Sequence, residues 1–203
     1  MPLAINRFYF LRHGQTNANR DQIFHADESI AITDLGHEQA SKAAAVLNTL
    51  PISRIVSSPY HRVQQTLAPY LSLQSQLQHD QDEDLAERSF AGLDGQKFED
   101  VVGEPASSES WIRFWDQTHA GVEPTADFYT RVQRGMTSNL THNDMLLAAH
   151  GGVLVAIINA LNLPLDGSSH GNAHPILFEK DTTSGTWHAA NWQWDQERFE
   201  RWC

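Results

Sequence analysis

Phe8-Tyr9-Phe10-Leu11-Arg12-His13-Gly14 decides how the chain is read. Four apolar residues in a row suit a strand buried on both faces, and the abrupt change to Arg-His-Gly marks a turn at its carboxyl end. Two further places repeat this pattern. Arg54-Ile55-Val56-Ser57 runs into Ser58-Pro59, and Met145-Leu146-Leu147-Ala148-Ala149 runs into His150-Gly151-Gly152. Each strand leads toward a helical pattern. The first helix is capped at Thr33 or Asp34 and carries Leu35, Ala40, Ala43, Ala44 and Leu47. The second covers Tyr60 to Leu67, with Pro69 expected to bend or stop it. The third runs from Val153 to Leu161.

Strands alternating with helices predict an α/β fold: a single three-layer domain over residues 1–203, with a mostly parallel central sheet flanked by helices. Gln74 to Asp84 reads as a polar surface loop. Ser108 to Gln117 and Thr125 to Asn139 read as helices, anchored by Trp111, Phe114, Trp115, Phe128, Tyr129 and Val132. Residues 87–126 or so are expected to form a small lid insertion. Pro175 to Glu179 and Thr186 to Trp192 read as strands of a hairpin turning at Thr183-Ser184-Gly185.

Ligand sites of open α/β sheets lie beyond the carboxyl ends of the strands. The three turns would therefore bring Arg12, His13, Arg62 and His150 into one pocket. Guanidinium forks match phosphoryl oxygens in pairs, and helix N-termini add a fixed positive potential. Imidazole is also a nucleophile toward phosphorus, and a covalent phosphohistidine divides one hard displacement into two easier ones. Arginines can stabilise the charge of the transferring group where other enzymes use a metal.

Leu11-Arg12-His13-Gly14-Gln15-Thr16, with Asn19 following, resembles the signature of the histidine phosphatase superfamily, which includes the cofactor-dependent phosphoglycerate mutases. Ile32 to Ala40, Ser57 to Thr66, Leu85 to Phe90 and His150-Gly151-Gly152 resemble its later landmarks in order and spacing, with a weaker echo at Asn172. The resemblance implies that His13 is the nucleophile, that Arg12, Arg62 and His150 hold phosphoryl oxygens, and that Glu87 protonates the leaving oxygen and then helps activate water. Glu83 and Asp84 are the alternative acids. Thr16, Asn19 and Gly151 are further expected phosphate contacts. Two places depart from the family pattern: His25-Ala26, where a glycine-containing turn is usual, and Glu123-Pro124-Thr125, where relatives often carry Gly-Glu-Ser.

A formal net charge of -11 argues against a broad surface for nucleic acid or an anionic membrane, so any positive charge serving an anionic substrate must be local. The single cysteine, Cys203, makes no intrachain disulfide, and no apolar run approaches a membrane span. A cytoplasmic protein is expected. No metal and no cofactor is expected either: His170 and His174 would share a helical face, but Gly171 and Pro175 argue for a loop there. The expected activity is hydrolysis of a small phosphorylated metabolite. A phosphoglycerate-type mutase and a non-catalytic phosphate- or phosphoprotein-binding module are the alternatives.

Overall fold

A computed structural model describes residues 3–103, 113–115, 117–164 and 171–202. Trp111 and most of the helix expected over Ser108 to Gln117, together with His170 and Cys203, lie outside them. Residues 113–115 of that segment are helical.

One sheet of seven strands organises the domain, in the order β3-β2-β4-β1-β5-β6-β7. Its strands are β1 (Arg7–Arg12), β2 (Arg54–Ser57), β3 (His79–Gln81), β4 (Met145–Ala149), β5 (Pro175–Lys180), β6 (Trp187–Gln193) and β7 (Arg198–Arg201). The core β3-β2-β4-β1 is parallel, and the flank from β1 through β7 is antiparallel. The continuous apolar runs of β1 and β4 follow from their central place, and all five residues of β4 are buried. Six helices are labelled here: α1 (Asn17–Asp21), α2 (Asp34–Leu47), α3 (His61–Leu73), α4 (Phe98–Val102), α5 (Thr125–Asn139) and α6 (Gly151–Ala160).

Period-2 alternation divides the core. Tyr9, Leu11, Ile55, Leu146 and Ala148 face Ala43, Ala44 and Leu47 of α2 and Val63, Leu67 and Tyr70 of α3. Phe8, Phe10, Val56, Leu147 and Ala149 face the other way, with Phe128, Val132 and Met136 of α5 and the apolar α6. Phe90, Phe114 and Trp115, which belong to the insertion between β3 and α5, join this second cluster around Phe24.

Thr33 caps α2, its hydroxyl accepting the Gly36 N–H at 3.1 Å. Other expectations need correction. Gln74 to Asp84 is not all loop, because β3 pairs with β2 there through the backbone ladder, with Arg54 and Asp80 ion-paired across the two strands. Pro69 does not end α3, which continues to Leu73 with Leu67 and Tyr70 packed on the core. That packing outweighs the hydrogen bond the proline ring cannot donate. The polar stretch after Thr16 contains the five-residue α1, closed by a capping box between Thr16 and Asn19. Among the described residues, no helix is long and apolar enough to cross a membrane.

Candidate active site

Register alone brings the three turns together. Arg12 pairs with Ala149 and Ser57 with Ala148, so His13, Ser58 and His150 leave three adjacent parallel strands at the same end. The His13 N–H donates to Ala149 O at 3.0 Å and the Ser58 N–H to Ala148 O at 2.9 Å, which extends the ladder one residue into each turn. The His13 and His150 rings then lie 5.4 Å apart between centroids. From the antiparallel side, the Asn172 amide donates to His13 O at 3.0 Å and to Asn19 Oδ1 at 3.1 Å.

Hydrogen bonding assigns the His13 tautomer. Its Nδ1 lies 2.8 Å from Gly14 O, and a carbonyl only accepts, so Nδ1 carries the hydrogen and Nε2 keeps its lone pair. The ring is 4% exposed. Burial, and then the guanidiniums of Arg12 and Arg62, hold it well below the ordinary histidine range, so the imidazole is neutral and nucleophilic at pH 7. The turn is tightly packed: a Cβ on Gly14 would lie 2.7 Å from Gly36 O, and one on Gly36 would lie 2.5 Å from Gln15 O.

His150 is fully buried, and burial, with Arg62, His13 and Arg12, pushes it well below the histidine range too. Its Nε2 lies 2.8 Å from Ser58 Oγ, which also accepts the Tyr60 N–H at 3.3 Å. Its Nδ1 is buried with no hydrogen-bond partner among the described residues. A hydroxyl that donates to Nε2 leaves the ring hydrogen on Nδ1, where it suits an acceptor such as a phosphoryl oxygen. Ser58 lies within the Ser57 to Thr66 stretch, but no local pattern there marks its contact with a residue 92 positions away.

Arg62 is 6% exposed, lies over the Tyr60 ring at 5.0 Å, and donates from Nη1 to Asp27 O at 3.4 Å. Arg12 is drawn close to α6: a Cβ on Gly151 would lie 3.3 Å from its Cζ. Burial lowers the pKa of both guanidiniums, while the charge of Glu87 acts on both in the opposite sense. Glu87 thus sits within electrostatic reach of the arginine pair. Its Oε2 accepts the Gly152 N–H at 3.1 Å and its Oε1 the Arg88 N–H at 2.8 Å. Of the alternative acids, Asp84 pairs with Arg134, and Glu83 lies in the one-turn 3-10 helix Glu83–Leu85.

Thr16 Oγ accepts the Asn19 N–H at 3.2 Å, while Asn19 Oδ1 accepts the Thr16 N–H and the Asn172 amide. The Asn19 amide oxygen is thereby engaged, which turns its NH2 into the available end. At the first departure from the family pattern, the loop is fixed locally, with the Asp27 N–H on His25 Nδ1 and the Ala26 N–H on Asp94. At the second, Glu123 forms an ion pair with Arg131, and Thr125 Oγ donates to Trp115 O at 2.5 Å. His174 donates from Nε2 to Trp192 O at 2.7 Å, which ties it to β6.

The family model of the histidine phosphatase superfamily (branch 1) matches residues 8–195, and the chain belongs to that superfamily. It is 30% identical over 189 residues to an agropine synthesis reductase of Rhizobium rhizogenes, covering 88% of this chain and 40% of that protein. The chain thus spans about two fifths of that relative's length. It is 28% identical to a 2,3-bisphosphoglycerate-dependent phosphoglycerate mutase of Mesorhizobium japonicum, over 86% of this chain and 92% of the mutase. It is also 28% identical to the adenosylcobalamin/alpha-ribazole phosphatase of Escherichia coli K12, over 81% of this chain and 83% of the phosphatase.

Proposed function

We propose that this histidine phosphatase superfamily member hydrolyses a small phosphorylated metabolite through a covalent phosphohistidine on His13. The observation that carries the reading is the His13 tautomer: Nδ1 tied to Gly14 O leaves Nε2 as a neutral nucleophile beside Arg12, Arg62 and His150. In the first step Nε2 attacks phosphorus, the P–O bond to the leaving group breaks, and Glu87, entering as the neutral carboxylic acid, delivers its proton to the departing oxygen and becomes a carboxylate. In the second, Glu87 as carboxylate takes a proton from water, the water oxygen attacks phosphorus, and the P–N bond breaks. Inorganic phosphate leaves and His13 is restored. Arg12, Arg62 and the His150 N–H stabilise the charge on the transferring oxygens in both steps.

A non-catalytic phosphate-binding module would need neither a free nucleophilic nitrogen nor a carboxylate beside the arginine pair. The same reading places the activity in the cytoplasm and assigns no cofactor. Its test is direct. Rapid quenching with labelled substrate should trap an acid-labile, base-stable phosphoenzyme, absent from His13→Ala. Turnover should survive prolonged chelation and be blocked by vanadate. Wild-type turnover by His13→Ala refutes the reading, as does activity lost in chelator and restored by one particular metal.

A further inference from the structure

Arg131 of α5 has five N–H donors, and all five are used around the segment that carries Glu87. Nε donates to Glu123 Oε1 at 2.7 Å and Nη2 to Glu123 Oε2 at 2.8 Å, a bidentate pair whose side chains are 18% and 19% exposed. Nη1 donates to Asp84 O at 3.1 Å and to Ala86 O at 2.8 Å, and Nη2 donates also to Glu87 O at 3.0 Å. Glu123 grips the other end of the same segment. Its Oε2 accepts the Ser89 N–H at 3.2 Å, its backbone N–H donates to Ser89 O at 2.9 Å, and its backbone O accepts Arg88 Nε at 2.8 Å. The guanidinium also lies 4.7 Å from the centre of the Phe128 ring.

Residues 83–89 contain one short 3-10 helix, Glu83–Leu85, which cannot by itself fix the direction of Glu87. The Glu123–Arg131 pair supplies what that local structure lacks, by binding main-chain atoms on both sides of the acid. We infer that Arg131, locked by Glu123, is a positioning residue for Glu87, aiming its carboxyl at the leaving oxygen without touching substrate. The inference rests on the reading of Glu87 as the leaving-group acid. A planar guanidinium reaches three carbonyls and both oxygens of one carboxylate at once; a lysine ammonium has three donors on a single nitrogen and cannot. Proton transfer requires hydrogen-bond reach in the substrate complex, so a small displacement of the segment removes acid catalysis while leaving the histidine pocket in place.

The test uses Arg131→Lys and Glu123→Gln in the full chain, each first checked for native circular dichroism and cooperative unfolding. Turnover is measured along a series running from p-nitrophenyl phosphate to simple alkyl phosphates, with Glu87→Gln beside them. Both variants should lose about 10-fold or more on alkyl phosphates and less than about 3-fold on the aryl ester, the split expected when proton donation alone is impaired. Adding Arg131→Lys to Glu87→Gln should cost alkyl substrates little further, because one interaction has already been removed. Parallel losses at both ends of the series, or losses that multiply in the double variant, overturn the inference. If Glu87→Gln itself shows no dependence on the leaving group, the acid assignment falls and the inference falls with it. If Glu87→Gln shows that dependence and Arg131→Lys does not, the positioning role alone falls. Should Arg131→Lys fail to fold, Glu123→Gln carries the same comparison.

Discussion

Glu87 occupies the space that a side chain on Gly152 would need. A Cβ on Gly152 would lie 2.3 Å from Glu87 Oε1 and 3.0 Å from Cη2 of Trp115, while the Gly152 N–H donates to Glu87 Oε2 at 3.1 Å. The glycine therefore admits the carboxylate to the positive end of α6 and holds it there.

Gly152→Ala follows from this contact. In an open helix the change would stabilise by up to about 1 kcal/mol through helix propensity. Here the clash should cancel that gain and push Glu87 aside, since the backbone of α6 is fixed. Turnover on alkyl phosphates is expected to fall about 10-fold to 100-fold, at or below the roughly 100-fold to 10,000-fold worth of general acid catalysis, because a displaced carboxyl keeps part of its role. Formation of phosphoenzyme from an aryl ester should be much less affected. Wild-type turnover on alkyl phosphates in Gly152→Ala would show that Glu87 is not the acid, or need not stand at α6.

Ser58→Ala tests the second histidine. The hydroxyl lies 2.8 Å from His150 Nε2, and removing it frees the ring to place its hydrogen on Nε2 instead of Nδ1. The Nδ1–H proposed to meet a phosphoryl oxygen is then lost part of the time. Binding of inorganic phosphate and of vanadate should weaken about tenfold, equivalent to about 1.4 kcal/mol. Isothermal titration at fixed pH and salt measures this, and unchanged affinity for both anions would remove Ser58 from the site.

The sequence made the convergence of the candidate site's residues legible and left their supports obscure, for a physical reason. Arg12, His13, Arg62 and His150 stand at ends of strands or starts of helices that apolar runs and periodicity mark clearly. Glu123, Arg131 and Ser58 act through hydrogen bonds between segments distant in sequence, and no local pattern records those. The short β3 and β7 are obscured likewise: His79-Asp80-Gln81 and Arg198-Phe199-Glu200-Arg201 lie at the two edges of the sheet, where polar residues replace the apolar runs of β1 and β4. Five-residue α1 is too short for a period, although Thr16 and Asn19 carry a capping signal.

Acid should destabilise the protein earlier than carboxylate titration would. Burial lowers the folded-state pKa of His13 and His150 well below the ordinary value, and that of His79 and His174 in the same sense. Between each lowered value and the unfolded value near 6.5, the unfolded chain binds more protons, so stability rises with pH in that window. Stability from these groups is therefore complete above about pH 6.5 and is lost as pH falls below it, at up to about 1.4 kcal/mol per pH unit for each histidine. Urea unfolding at pH 7.5 and at about pH 5 measures the slope. His13→Ala should show a shallower slope than the wild type, and identical slopes would mean that His13 titrates normally in the folded state.

Hydrolysis should dominate over mutase chemistry. A mutase must retain a doubly phosphorylated intermediate and let it reorient before the phosphoryl group returns, which calls for cations beyond the histidine pocket. Between Glu87 and Thr130 the chain carries Arg88, Lys97 and Arg113. Arg88 is only 2% exposed, with Nε on Glu123 O and its guanidinium 4.8 Å from the Trp115 ring centre, so it faces the aromatic cluster rather than open solvent. Lys97 is paired with Glu99 at 2.9 Å, and Arg20 of α1 is paired with Asp21 at 2.8 Å. Asp27 and Glu28 add negative charge around Arg62. To hold a second anionic group, Lys97 would have to leave Glu99 and Arg20 would have to leave Asp21, against the repulsion of Asp27 and Glu28. Incubation with 3-phosphoglycerate, with and without 2,3-bisphosphoglycerate, should release inorganic phosphate from one or both compounds or leave them unused. Little 2-phosphoglycerate should form. Rapid isomerisation stimulated by the bisphosphate, with negligible phosphate release from any phosphomonoester in a broad panel, would overturn the hydrolase assignment while leaving the phosphohistidine on His13 in place.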